Sequence, residues 1–315
     1  MLITSVISSI KRQVPKNSFF HKTLAIFIYI CENNPYIIMR RLILFAVILT
    51  TAVSFAQSKE RIKGTKVVTI APREIQSFEN LEVEDNIEIF LVKGDNNALE
   101  IEADENLHEI IESSLNGGTL RLTTTKNVTS YKKLSVKVTY TDDFKMVTAK
   151  NEATINALSD IELDNITFKT FDYTKLFLNV KSRWFTIFAN DKSKIELNVK
   201  AETAAVELSK SANMKALISS ESLKFDMYQK STAVIEGDIV DLKLRLDNNA
   251  NFTGKNLNAK NAEIITEAYA NGSIQVSVKA IIEAGGKSEL QLYGDQKIEI
   301  KNFTDSAVLM KKPIK

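Results

Sequence analysis

The chain has 315 residues, with 41 Lys and Arg against 39 Asp and Glu, two histidines and one cysteine. A near-balanced, interspersed charge lacks the basic stripe that nucleic acid requires, so nucleic acid is excluded as an expected partner. One cysteine excludes a disulfide framework, and two histidines leave no familiar metal site or catalytic triad.

Residues 1–38 precede a second methionine and read as an upstream extension outside the functional protein. Met39-Arg40-Arg41 opens MRRLILFAVILTTAVSFAQ, where two arginines precede an apolar run from Leu42 to Val53. Ser54-Phe55-Ala56 then supplies small residues at the −3 and −1 positions. This is the layout of a secretory signal peptide over 39–56. The apolar run is shorter than the about 20 residues that cross a bilayer. Export would place the protein in the periplasm, at the outer-membrane surface or outside the cell. Cys31 lies before the cleavage point, so no lipid anchor is expected at the new N-terminus. Residues 57–315 carry 35 basic and 38 acidic side chains, a net charge of −3.

Residues 57–66 (QSKERIKGTK) are charged, have no apolar face and read as a linker. A β-rich module is expected over 67–152. VVTI at 67–70, LEVEDNIEIFLVKG at 81–94 and ALEIEAD at 98–104 carry strand patterns, with Asp95-Asn96-Asn97 as a turn. In ENLHEIIESSLNGG, Leu107, Ile110, Ile111 and Leu115 fall at helical spacing before Gly117-Gly118, which predicts one short helix over 105–116. TLRLTTT and LSVKVTYT return to strands.

From 153 to 303 the chain keeps a rhythm of about 19 residues. Leu176, Leu178 and Val180 are followed one period later by Ile195, Leu197 and Val199, then by Met214, Ala216 and Ile218. A second set of beats keeps step: Ile187 and Ala189, Val206 and Leu208, Phe225 and Met227, Leu244 and Leu246. The beats alternate at two residues, a strand period, and each set is too small to form a core alone. The expected fold is all-β: a parallel β-helix or β-solenoid with coils of about 19 residues, preceded by the β-rich module. The register slips once, from Phe252 through Ile274 to Leu290. Residues 304–315 read as a C-terminal tail.

The stretch LEVEDNIEIFLVKGDNNALEIEADENLHEIIESSLNGGTLRLTTT, followed by β-coils after a signal peptide, resembles the "putative auto-transporter adhesin head GIN domain" family over roughly 75–303. The resemblance implies a repetitive parallel β-helix and an adhesive role, and it transfers no catalytic residues. Coils of that family carry a Ser-Gly-Ala-Ser-like turn. The corresponding turns here are KSAN, QKST and NNAN, without the glycine.

No catalytic residue and no cofactor is expected. Asp and Glu alternate with Lys at outward positions (Glu196, Lys200, Glu202, Glu207, Lys210), which is a solvated face that also discourages sheet-edge pairing. Asp247-Asn248-Asn249 lacks the ligand series of a calcium loop. Residues 168–188 hold seven aromatics, and the alternation turns Phe177, Trp184 and Phe188 outward. These three form the candidate binding patch, unless the N-terminal module covers them. The expected function is a non-enzymatic, exported β-solenoid, adhesin-like or structural, whose partner is a glycan or a cell-surface protein. The alternative is a periplasmic carbohydrate-active enzyme on the same scaffold.

Overall fold

A computed structural model of the protein describes residues 59–313. The expected signal peptide at 39–56 and the expected upstream extension at 1–38 lie outside the described residues. Short strands come first: β1 (Arg61–Lys63), β2 (Val68–Arg73), β3 (Asn80–Val83), β4 (Glu88–Lys93), β5 (Ala98–Asp104), β6 (Ile111–Asn116), β7 (Thr119–Thr124), β8 (Asn127–Thr129), β9 (Leu134–Tyr140), β10 (Met146–Ala149), β11 (Thr154–Ala157) and β12 (Ile161–Thr170). Long strands follow: β13 (Lys175–Ala189), β14 (Lys194–Leu208), β15 (Asn213–Met227), β16 (Thr232–Leu246), β17 (Asn251–Thr266) and β18 (Asn271–Ala284). The chain then closes with β19 (Glu289–Tyr293), β20 (Lys297–Phe303) and β21 (Val308–Lys312). Pairings from β10 onward are parallel, so the fold is the β-solenoid that the rhythm implies.

Each long strand pairs with the next at an offset of 19 residues through β16, as in Lys175 to Lys194 to Asn213 to Thr232. The inward–outward alternation slips at Arg183, Glu202 and Glu221, where two consecutive residues face solvent. Each strand therefore bends into a first limb (194–201 in β14) and a second limb (203–208). Inward side chains of the two limbs meet. Phe225 on the second limb of β15 and Phe252 on the first limb of β17 have ring centroids 5.3 Å apart at 72°. Leu176, Ile195, Met214 and Ala233 form one buried column, and Ile187, Val206, Phe225 and Leu244 another. Coils stack about 4.8 Å apart, so beats that no single coil could bury become one continuous core.

Between coils runs a column of left-handed residues: Asp172, Asp191, Lys210, Gln229, Asn248 and Ala268 all have φ between 57° and 61°. Asn and Asp adopt this conformation readily; Lys, Gln and Ala do not. The stack imposes it. The carbonyl of each such residue accepts an N–H from the next coil, as in Lys230 to Lys210 at 2.7 Å and Asn249 to Gln229 at 2.8 Å. Two residues after each sits a small buried one: Thr174, Ser193, Ala212, Ser231, Ala250 and Ala270. The turn geometry thus survives without the family's glycine.

Several expectations need correction. The core register begins well before residue 153. β3 and β4 already stack in parallel on β10 and β11, so Leu81, Val147, Phe168 and Ile187 share a column. Residues 94–145 intervene in sequence between these two coils, which breaks the period, and their β7 and β9 stack in parallel on the other side of β3 and β4. The helix is a 3-10 segment over Glu105–Ile110, and Ile111–Asn116 is a strand paired antiparallel with β7. Gly117-Gly118 (φ 53° and 73°) is the two-residue turn of that hairpin, not a helix stop. The linker contains β1, which pairs with β8. The tail contains β21, which adds a last rung to β19. At the register slip, Phe252 lies opposite Gly272, and Gly272 opposite Leu290, so one coil gains a residue and the next loses one. The large Phe252 ring is followed in its column by a residue with no side chain.

This intervening segment is held by Asp104. It is fully buried, and its carboxylate accepts the backbone N–H groups of Lys66 (2.9 Å), Lys133 (2.9 Å) and Lys132 (3.1 Å). Burial pushes the carboxyl pKa up, but these donors outweigh it and hold the group below its ordinary value. The ionised form is therefore favoured in the folded state. Its contribution is present above the unfolded value near 3.8 and is lost as pH falls through the lower folded value. Asp104→Ala should cost about 2–3 kcal/mol by leaving these donors without a partner. Chemical denaturation at pH 7 and pH 3 checks this: the gap between wild type and variant should narrow at the lower pH. An equal gap at both pH values would remove the ionised carboxylate from the account.

Candidate functional site

The outer surface of the first limb is built by register. Outward positions on successive coils form two adjacent columns: Phe177, Glu196, Lys215 and Val234, and beside them Asn179, Asn198, Leu217 and Glu236. A shallow groove of about 540 Å³ crosses these columns from β13 to β16. Three of its apolar side chains are partly open to water: Phe177 is 38% exposed, Leu217 47% and Val234 41%. Two amides (Asn179 and Asn198), two carboxylates (Glu196 and Glu236) and Lys215 lie between and beside them. The surface therefore offers isolated apolar contacts inside a grid of hydrogen-bonding groups.

The three predicted aromatics are all solvent-exposed, with Trp184 at 40% and Phe188 at 41%. They do not share one face. The bend at Arg183 places Phe177 on the first limb and Trp184 and Phe188 on the second. Trp184 stacks under the Arg183 guanidinium, 4.2 Å from the ring centroid, and Arg183 donates to Glu202 at 3.2 Å. Phe188 lies in register between Lys169 and Glu207. Leu217 and Val234 were missed as surface groups. Their signal was present: Ala216-Leu217-Ile218 and Ala233-Val234-Ile235 are apolar at the beat that should face solvent.

A second depression of about 500 Å³ lies at the turn end of the same limb, among β4, β9, β11, β13 and β14. Lys175 and Lys194 open the strands that carry Phe177 and Glu196, two residues before them and on the same outward side. The opposite wall is the loop 131–133, positioned by Asp104. The hydroxyl of Tyr131 accepts a hydrogen bond from Asn86 Nδ2 at 3.5 Å, and burial pushes its pKa up, so the phenol stays protonated. His108 stands apart from both depressions, with Nε2 2.9 Å from Thr69 Oγ1. Among the described residues, no group of three or more His, Cys, Asp or Glu is placed to hold a metal ion.

Coils of two limbs, stacked in register with open, patterned outer faces, define a solenoid scaffold that displays side chains along its length. Residues 77–295 match the family described as "Putative auto-transporter adhesin, head GIN domain", and the chain belongs to that family. The fold is shared with a crystal structure described as a putative adhesin from Parabacteroides merdae ATCC 43184, at TM-score 0.60 and 15% identity, covering 80% of this chain and 99% of that one. A putative adhesin from Parabacteroides distasonis ATCC 8503 has TM-score 0.59 and 15% identity, covering 80% and 100%. A third structure, from the same P. distasonis strain and described as a putative lipid binding protein, has TM-score 0.57 and 12% identity with coverage of 80% and 100%. At these identities the likeness is one of fold. No curated protein matches the chain.

Proposed function

We propose that the protein is an exported, non-enzymatic β-solenoid that acts as an adhesin-like binding surface at the bacterial cell envelope, and that the groove at Phe177 is where a glycan docks. The observation that carries this reading is the set of exposed apolar side chains at Phe177, Leu217 and Val234, spread over neighbouring coils within one groove. An apolar ring flanked by amides and carboxylates suits a sugar, whose ring face is apolar and whose rim is hydroxylated. The family assignment and the leader at 39–56 support export and adhesion. Aromatic groups on Trp184 and Phe188 offer a second contact on the other limb, and a cell-surface protein is the partner that would engage both.

Two measurements test this. Protease treatment of intact cells carrying a C-terminal tag should remove the tag; protection until the outer membrane is opened would make the protein periplasmic and end the adhesion reading. Phe177→Ser with Leu217→Ser should lower binding on a glycan array about tenfold or more while leaving the melting temperature within a few degrees, since both side chains lie on the outer face and not in the core. Unchanged binding would move the site off this groove. Polysaccharide turnover by the purified protein would favour the carbohydrate-active enzyme instead.

A further inference from the structure

The depression at the turn end of the first limb carries an excess of positive charge. Five lysines line it against two carboxylates, Glu88 and Glu152. Two of the five are engaged: Lys133 pairs with Glu88 at 3.3 Å, and Lys192 donates to the Tyr173 hydroxyl at 3.1 Å. Lys132, Lys175 and Lys194 have no carboxylate partner among the described residues.

The arrangement of Lys175 and Lys194 is unfavourable on its own. They are in-register neighbours on adjacent coils, about 4.8 Å apart at the backbone. Their other column neighbours, Thr154 and Asn213, are uncharged. Like charges directly opposite one another on a sheet destabilise it. Elsewhere the outer faces relieve this with acids, as in Lys181 with Glu162 at 3.1 Å and Lys279 with Glu299 at 2.8 Å. An anion placed between the two ammonium groups would supply the missing counter-charge.

The walls narrow the class of anion. The phenol of Tyr131 and the exposed ring of Tyr173 flank the lysines, and Asn86 and Thr154 add an amide and a hydroxyl. Aromatic faces with polar donors suit a ring that is apolar on one side and hydroxylated at its edge. A concave cleft of this size does not admit a flat membrane. A long uniform polyanion such as nucleic acid would leave the cleft for a surface of net negative charge. Lys175 and Lys194 of the depression stand on the same strands as Phe177 and Glu196 of the groove, two residues before them.

We infer that this cleft binds the charged sugar units of an acidic glycan, with Lys132, Lys175 and Lys194 holding its carboxylate or sulfate groups. The inference rests on the reading of the first limb as a glycan-binding face, and it assigns that face an anionic ligand.

The test uses the purified protein and four probes: an oligogalacturonate, a heparin oligosaccharide, a neutral malto-oligosaccharide and inorganic polyphosphate. Calorimetric titration should show binding of at least one acidic oligosaccharide, weakened about tenfold or more by Lys175→Ala with Lys194→Ala and by added salt. Carboxylate and sulfate are told apart by which of the two acidic probes binds. The double variant should melt at the same temperature as wild type or slightly higher, because a like-charge pair has been removed. Polyphosphate binding as tightly as the sugars would reduce the cleft to a non-specific anion patch and overturn the glycan assignment. Lack of binding to either acidic probe, or acidic binding untouched by the double variant, would overturn the site. If the cleft falls on either ground, neutral-probe binding that is abolished by Phe177→Ser with Leu217→Ser would still leave the groove standing.

Discussion

Gly237→Ala is expected to destabilise the middle of the solenoid strongly. Gly237 has φ 119°, a conformation closed to residues with a Cβ, and an added Cβ would lie 2.1 Å from the carbonyl oxygen of Ile218 on the preceding coil. That atom is backbone, fixed by its own ladder, so the contact cannot be relieved by a rotamer change. The alternative is a peptide rotation that breaks the ladder between β15 and β16. Strain and lost hydrogen bonds together should cost about 3–5 kcal/mol. For a protein of this size that lowers the melting temperature by roughly 6 °C or more. Gly294 is a useful companion: it has φ 101° and the same clash, at 2.0 Å from the Val276 oxygen, but it sits next to the last coil. Gly294→Ala should fray only the C-terminal rungs. Circular dichroism melts would show one broad, early transition for Gly237→Ala and a small early step for Gly294→Ala. Wild-type melting of Gly237→Ala would mean that the coil spacing is set elsewhere.

Phe225→Ala should have a comparable effect for a different reason. Phe225 is fully buried between Val206 and Leu244 in its column and packs edge-on against Phe252 across the core. Truncation removes the ring and leaves a cavity that two rigid, hydrogen-bonded limbs cannot close. Loss of about 3–5 kcal/mol is expected. Phe177, two coils earlier and facing outward, is the natural control, and its truncation should be nearly neutral for stability. Denaturant titration of both variants separates the inward from the outward aromatics. Equal losses would contradict the assigned pleat.

The coil rhythm was legible because each beat is a buried column. Leu176, Ile195 and Met214 are nineteen apart in sequence because they are neighbours in space. The first coils were not legible, since the intervening segment 94–145 separates in sequence strands that stack directly, and spacing along the chain then says nothing about stacking. The segment 105–116 misled for a local reason. Leu107, Ile110 and Ile111 are buried as a helical pattern requires, but Ile111 opens a hairpin arm that pairs antiparallel with β7. In the candidate site, the outward direction of Phe177, Trp184 and Phe188 followed from alternation. Their division between two faces did not, because the bend at Arg183 is a slip of one residue that charged side chains hide. Lys132 and Lys133 could not be placed beside Lys175 by any periodicity, as only the buried carboxylate of Asp104 draws their loop there.

The in-register offset has a consequence for how such a molecule changes length. Excising residues 194–212 would seat β15 directly on β13, with Phe185 meeting Leu223 and Ile187 meeting Phe225, apolar on apolar as before. Every remaining rung would keep a neighbour of the right kind on both sides. Whole rungs are thus interchangeable units of inheritance, and duplication or loss of one resizes the displayed face without redesigning the interior. The same excision would put Asn213 where Lys194 stood, so a lineage could shed the paired lysines in a single step while its scaffold carried on unaltered.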